Sequence, residues 1–205
     1  MNIVEEAIEK ILLEFTREIN YEDLKSAKAA FINKTGDIDE DAAEYESRMN
    51  SFNDWYLFNY QRANGTKIID NCDPKIVGDK DLLESIQNAK YSIFLFQKTN
   101  FRKQIVIKDI LHSEKFTLAT ENGTLSLFEG DLFIGRSVTC DNKTYLTHGL
   151  CTLPSEVLPA LKKESKKIRK LNNSDEEEAF LLNLERLKTR SLQYGHIDAA
   201  KIFTF

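Results

Sequence analysis

With 205 residues, 41% hydrophobic and 10% aromatic, the chain can build one substantial domain or two small ones sharing an interface, which excludes disorder over most of its length. Its net charge of -5 conceals a division: residues 1–90 hold 11 Lys+Arg against 19 Asp+Glu, residues 91–172 hold 13 against 8, and residues 173–205 hold 4 against 6. No run approaches the roughly 18–20 apolar residues of a membrane span, no basic-then-apolar leader opens the chain, and Cys72, Cys140 and Cys151 form no C-x-x-C pair. The expectation is a cytoplasmic protein with reduced cysteines, no disulfide framework and no thiolate zinc site.

Ile3, Val4, Ala7, Ile8, Ile11, Leu12, Phe15 and Ile19 recur at helical spacing, with Glu5, Glu6, Glu9, Glu14 and Glu18 opposite, so the first predicted helix packs one face. A second spans about Tyr21 to Ile32, with Leu24, Ala27 and Phe31 inward and Gly36 as its stop. Asp37-Ile-Asp-Glu-Asp41 imitates a calcium loop, but a loop begun at Asn33 puts Ile38 where glycine is required. Those acids read better as caps of the next helix, about Glu40 to Gln61, which carries Tyr45, Met49, Phe52, Trp55, Tyr56, Phe58 and Tyr60. Such a stripe is ordinarily core.

Asn64-Gly65, Asp73-Pro74 and Gly78 mark 63–79 as the expected linker, before a short helix from Asp79 to Ala89. From Tyr91 to Leu153 the period changes from helix to strand. Tyr91–Phe96, Gln104–Lys108, Lys115–Ala119, Thr124–Phe128, Asp131–Thr139 and Thr144–Thr147 are the predicted strands, separated by turn formers such as Asn122-Gly123 and Glu129-Gly130. Ser155 is the expected cap of a helix to about Leu171, with Pro159 in its first turns and Lys162, Lys163, Lys166, Lys167 and Lys170 along it. Ser174-Asp-Glu-Glu177 reads as a capping box for a last long helix, and Ile202-Phe-Thr-Phe205 as a strand or a tail docked on the core.

The fold class is therefore α+β: N-terminal helices, a central antiparallel β-meander or small barrel of five to six strands, and C-terminal helices. Three parts are expected, a helical 1–78, a helix plus β unit over 79–153, and helices over 154–205, packed as one unit. Phe52-Asn-Asp-Trp-Tyr-Leu-Phe-Asn59, followed by Ile107-Lys-Asp-Ile-Leu111 and Gly130-Asp-Leu-Phe-Ile-Gly-Arg136, resembles bacterial proteins of uncharacterised function that pair a tryptophan-bearing helix with a small β module. That resemblance implies no activity. Six strands and a following helix also resemble the PilZ outline, yet Arg102 has no arginine four residues away and the Asp/Asn-x-Ser-x-x-Gly element is missing, so no cyclic dinucleotide is assigned.

Phosphate-loop, dinucleotide and Gly-x-Ser-x-Gly signatures are absent, and no cofactor or metal is expected. A hydrolase would have to use His148, which follows a strand with Cys140 and Cys151 near in sequence. Binding is the better reading. A protein-interaction or self-associating module would expose an apolar patch around Trp55, Tyr60 or the C-terminal Phe203 and Phe205. The alternative, single-stranded nucleic acid, would use Phe94, Phe96, Phe101, Arg102, Lys103, Lys108, Arg136 and the Lys162–Lys170 helix.

Overall fold

The computed structural model describes residues 2–120 and 127–205. Helix α1 (Ile3–Phe15) is opened by Asn2, whose Oδ1 accepts from the Val4 and Glu5 amides while Glu5 Oε2 accepts from the Asn2 amide at 2.9 Å. Val4, Ala7 and Ile11 are buried; Ile19, expected on the same face, lies in a separate 3-10 turn (Glu18–Asn20) and is 90% exposed. Helix α2 (Tyr21–Thr35) runs three residues beyond the predicted end and stops at Gly36, whose φ of +86° suits glycine. A Cβ at Gly36 would also meet Thr189 Cγ2 at 3.0 Å.

Helix α3 (Tyr45–Phe58) starts later than predicted because residues 40–44 form turns and a bend. It is the centre of the molecule, burying Phe52, Trp55, Tyr56, Leu57 and Phe58 together with Arg48, Ser51 and Asp54. Its rings pack at a tilt against Phe31 of α2, with centroids 5.7 Å away for Phe52 and 5.6 Å for Trp55. Segment 63–79 is packed: Ile68, Ile69, Cys72 and Val77, the last in helix α4 (Pro74–Val77), are buried in the same cluster. Helix α5 (Lys80–Gln87) follows, capped by Asp79.

Six antiparallel strands come next: β1 (Lys90–Thr99), β2 (Ile105–Asp109), β3 (Lys115–Thr117), β4 (Leu132–Cys140), β5 (Lys143–Leu146) and β6 (Cys151–Leu153). The expected Thr124–Phe128 strand falls largely outside the described residues. The order β3-β2-β1-β4-β5 is a meander only in part, because β4 returns to pair β1 on its free side. The far edge of β4 is shared by β6 at Leu132–Ile134 and β5 at Ser137–Cys140. Three-residue β6 went unpredicted because so short a run shows no alternation. The sheet curls into a half-barrel, and the ends of β3 and β5 meet where Leu118 bridges Thr144.

Alternation along the strands divides the core. Phe94, Phe96, Ile107, Phe133 and Leu146 point into the half-barrel, while Ile93, Leu132 and Ile134 face the C-terminal helices. Those are α6 (Leu158–Leu171), α7 (Ser174–Gln193) and the short α8 (Ala199–Ile202). Ser155 belongs to a 3-10 turn and caps nothing, since Pro154 and Pro159 fix the entry to α6. Asn173, one residue before the predicted position, caps α7. The tail docks as a helix with Phe203 buried, and Phe205 sits edge-on to Phe180 at 5.6 Å. No helix among the described residues is long and apolar enough to cross a membrane.

Candidate functional site

A helix buried along most of its length must find partners for its inward polar groups inside the protein, because an unpaired buried charge costs several kcal/mol. Helix α3 does so through a charged seam between the helical layers and the sheet. Arg48 pairs with Glu185 of α7 at 2.7 Å and also donates to the Thr35 carbonyl and the Thr189 hydroxyl. Glu185 accepts a second bond from the Tyr91 hydroxyl at 2.9 Å. Burial raises the Glu185 carboxyl above its ordinary value, against the pull of Arg48 and Tyr91. Burial and Glu185 together push the Tyr91 phenol far up.

Arg136 of β4 lies between two rings, its guanidinium carbon 4.2 Å from the Tyr91 centroid and 4.7 Å from that of Phe58, and donates to Asn59 Oδ1. Burial lowers its pKa, partly offset by Asp54, Tyr91, Glu178 and Glu185. Glu178 in turn holds the Trp55 indole at 3.2 Å and the Asn59 amide at 2.6 Å. Asp54, one turn from Phe58, accepts from the Thr147 hydroxyl and the Gly149 amide. Burial raises its pKa, opposed first by Arg136.

Three of the cavities beside this seam are each lined in part by a residue that has one buried polar atom without a hydrogen-bond partner among the described residues. A cavity of about 360 Å³ beside Arg48 is lined by Ser51, whose Oγ is such an atom. One of about 250 Å³, rimmed by Asp70, Asp175 and Glu177, is lined by Arg136, whose Nε is another. The third, of about 210 Å³, lies between Glu5 of α1, Asp54 of α3 and His148 after β5, and the Glu5 Oε1 atom behind its wall is the last. His148 is half-exposed, with Nε2 3.4 Å from that oxygen. Among the described residues no group of three or more His, Cys, Asp or Glu side chains is arranged to hold a metal ion.

The cysteines that stand near His148 in sequence do not join it. Cys140 is buried in the core of the N-terminal helices, and Cys151 lines the Arg48 cavity with its thiol pushed up to about 12 by burial. A thiol so shifted is not a nucleophile at neutral pH. A second histidine forms an unforeseen cluster: His112 Nδ1 lies 3.0 Å from Asp109 and 3.3 Å from Ser92 Oγ, while Nε2 lies 3.2 Å from Glu177. Serine and carboxylate share one ring nitrogen and Ser92 is fully buried, so the group clips β1, β2 and α7 together and does not make a catalytic triad.

The residues expected to form a binding surface separate into four places. Trp55 and Arg136 are buried in the seam at 4% exposure each, which corrects both the exposed patch drawn around Trp55 and the use of Arg136 as a surface cation. Tyr60 is half-buried against Trp55 at 5.6 Å. Phe94 and Phe96 are core, whereas Arg102 and Lys103 sit in the open β1–β2 turn beside Phe101. Lys162, Lys163, Lys166, Lys167 and Lys170 are exposed on α6. Asp54 escaped sequence reasoning because its partner Thr147 lies 93 positions away, and the His112 cluster because Ser92 and Glu177 join the local Asp109–His112 pair from 20 and 65 positions away.

Residues 4–183 match a family of unknown function, DUF7986. The chain belongs to this family. No curated protein matches it, and no solved structure does. The DUF7986 match includes Glu5, Arg48, Asp54, Arg136 and His148, and it stops within α7 before Glu185.

Proposed function

We propose that the protein is a non-enzymatic binding protein that docks an acidic face of a protein partner on α6. The observation that carries this reading is that the lysines of α6 stay unneutralised. Among the described residues their one ion pair is Lys167 with Glu164 of the same helix, at 2.5 Å. Among the described residues none of the acids of the N-terminal helices pairs with Lys162, Lys163, Lys166 or Lys170, so the acidic part of the chain does not neutralise this helix. Helix α6 is also held firmly: Leu161 is buried under it and Arg169 donates to the Leu111 carbonyl at 3.1 Å. A rigid, basic, outward face steers an anionic partner and loses little entropy on docking.

The test is fluorescence polarisation of a labelled oligo-glutamate peptide with the full chain and with a variant carrying Lys162→Glu, Lys163→Glu, Lys166→Glu and Lys170→Glu. Binding that weakens about tenfold or more in the variant is expected; equal affinity removes the reading. A second reading, single-stranded nucleic acid, draws on Phe101, 90% exposed with Arg102 5.4 Å over its ring. Labelled single-stranded RNA in the same assay decides between them. Tight binding whose logarithm falls steeply with the logarithm of salt would transfer α6 to that class.

A further inference from the structure

Arg136 is 4% exposed, and among the described residues no carboxylate forms an ion pair with it. The acids whose field it feels are engaged elsewhere: Glu185 by Arg48 and Tyr91, Asp54 by Thr147 and Gly149, and Glu178 by Trp55 and Asn59. Of the guanidinium nitrogens, Nη2 donates to Asn59 Oδ1 and Nε is sealed without a partner. Nη1 makes no hydrogen bond among the described residues and is not one of the sealed atoms, so it is the nitrogen left open to the cavity of about 250 Å³ that Arg136 lines. A guanidinium fixed between the Tyr91 and Phe58 rings and lacking a counter-charge is a strong site for a carboxylate, because its planar donor edge is already ordered.

The other charges of the lining divide into committed and free ones. Half-buried Lys67 has no ion pair among the described residues and adds a second free cation. Glu177 is taken by His112, which leaves Asp70 and Asp175, both exposed at the rim and without an ion pair among the described residues. Phe58, Ile69 and Leu181 complete the wall with apolar surface. The space is room for roughly eight water-sized groups at about 30 Å³ each, the size of valine. A bare anion would be repelled by the acidic rim and a bare cation by Arg136, so the lining suits a ligand that carries both charges. We propose that this cavity binds a small neutral α-amino acid as its zwitterion, with the carboxylate on Arg136 and Lys67 and the ammonium toward Asp70 and Asp175. The site is separate from the α6 surface and survives if that surface proves inert.

The test is a titration of the full chain with L-valine, followed by amide ¹H–¹⁵N correlation spectra, beside N-acetyl-L-valine, which lacks the ammonium, and L-valinamide, which lacks the carboxylate. Expected are saturable shifts at Ile69, Tyr91 and Ser174 with valine, and binding weaker by about tenfold or more with either analogue. Arg136→Gln removes the free cation and is expected to abolish the shifts. Should that variant lose its dispersed spectrum, two others act from exposed positions. The pair Asp70→Asn with Asp175→Asn is expected to weaken valine about tenfold or more while leaving N-acetyl-L-valine no weaker, and Ser174→Trp, at the first residue of α7, is expected to block the mouth and abolish the shifts. No saturable shift with valine, equal affinity for either analogue, or unchanged valine binding in a folded Arg136→Gln, in the double aspartate variant or in Ser174→Trp would overturn the site.

Discussion

Gly149 stands against Asp54 so closely that a Cβ there would lie 2.4 Å from Oδ2 and 2.9 Å from the Asp54 Cβ. The aspartate cannot retreat, because Thr147 and the Gly149 amide hold it. Gly149→Ala is therefore expected to destabilise by about 1–3 kcal/mol, read as a lower urea midpoint at unchanged m. Gly135→Ala is the control: its Cβ would meet the tip of Leu150 at 2.5 Å, a side chain that can rotate away, so its cost should be the smaller of the two. At the same scale, Asp109 and Glu177 raise the His112 pKa above its usual 6.5 despite burial. A raised folded-state pKa stabilises fully below the unfolded value and is lost as pH rises through the folded one. The stability gap between the parent and His112→Gln should thus be widest near pH 5.5 and shrink toward pH 8.5; a gap independent of pH would show that His112 acts through packing alone.

At the scale of elements, the start of α7 separates what local pattern reveals from what packing decides. Asn173 and Ser174 are both good caps, and the Ser174-x-x-Glu177 spacing favoured the serine. The fold selects Asn173, whose Oδ1 accepts from the Asp175 amide at 2.9 Å, because Glu177 turns away to His112. Asn173→Ala should cost about 0.5–2 kcal/mol and Ser174→Ala close to nothing, measured by thermal melting; the reverse order would restore the serine as cap. Helices with strong periodicity, such as α1 and α5, and strands flanked by turn formers were legible within a few residues. The return of β4 to β1 was not, since strand order depends on pairings between distant segments. Helix α3 shows the same limit: its aromatic content marked core correctly, but nothing local marks Arg48 and Asp54 as buried, because their partners lie 137 and 93 positions away.

For the molecule as a whole, the seam is what joins the three layers. Glu185 of α7 meets Arg48 of α3 and Tyr91 of β1, and Arg136 of β4 meets Asn59 just beyond α3, so each layer contributes a buried polar group that the others must satisfy. Burial raises Glu185 and lowers Arg136, which means that desolvation opposes these charges and their pairing offsets it. Such a seam specifies alignment more than it adds stability. Arg48→Met alone should then cost about 3–5 kcal/mol, because it strands the Glu185 carboxylate beside Tyr91. Adding Glu185→Leu should recover a substantial part of that loss, giving a coupling of about 1–3 kcal/mol in a double-mutant cycle by chemical denaturation. A double variant as unstable as the sum of its parts would mean that Arg48 and Glu185 act independently, with the alignment of the layers held by Arg136 and its aromatic clamp. If the coupling is found, the double variant should also melt less sharply, since the apolar pair fills space without fixing how α7 sits against α3 and the sheet.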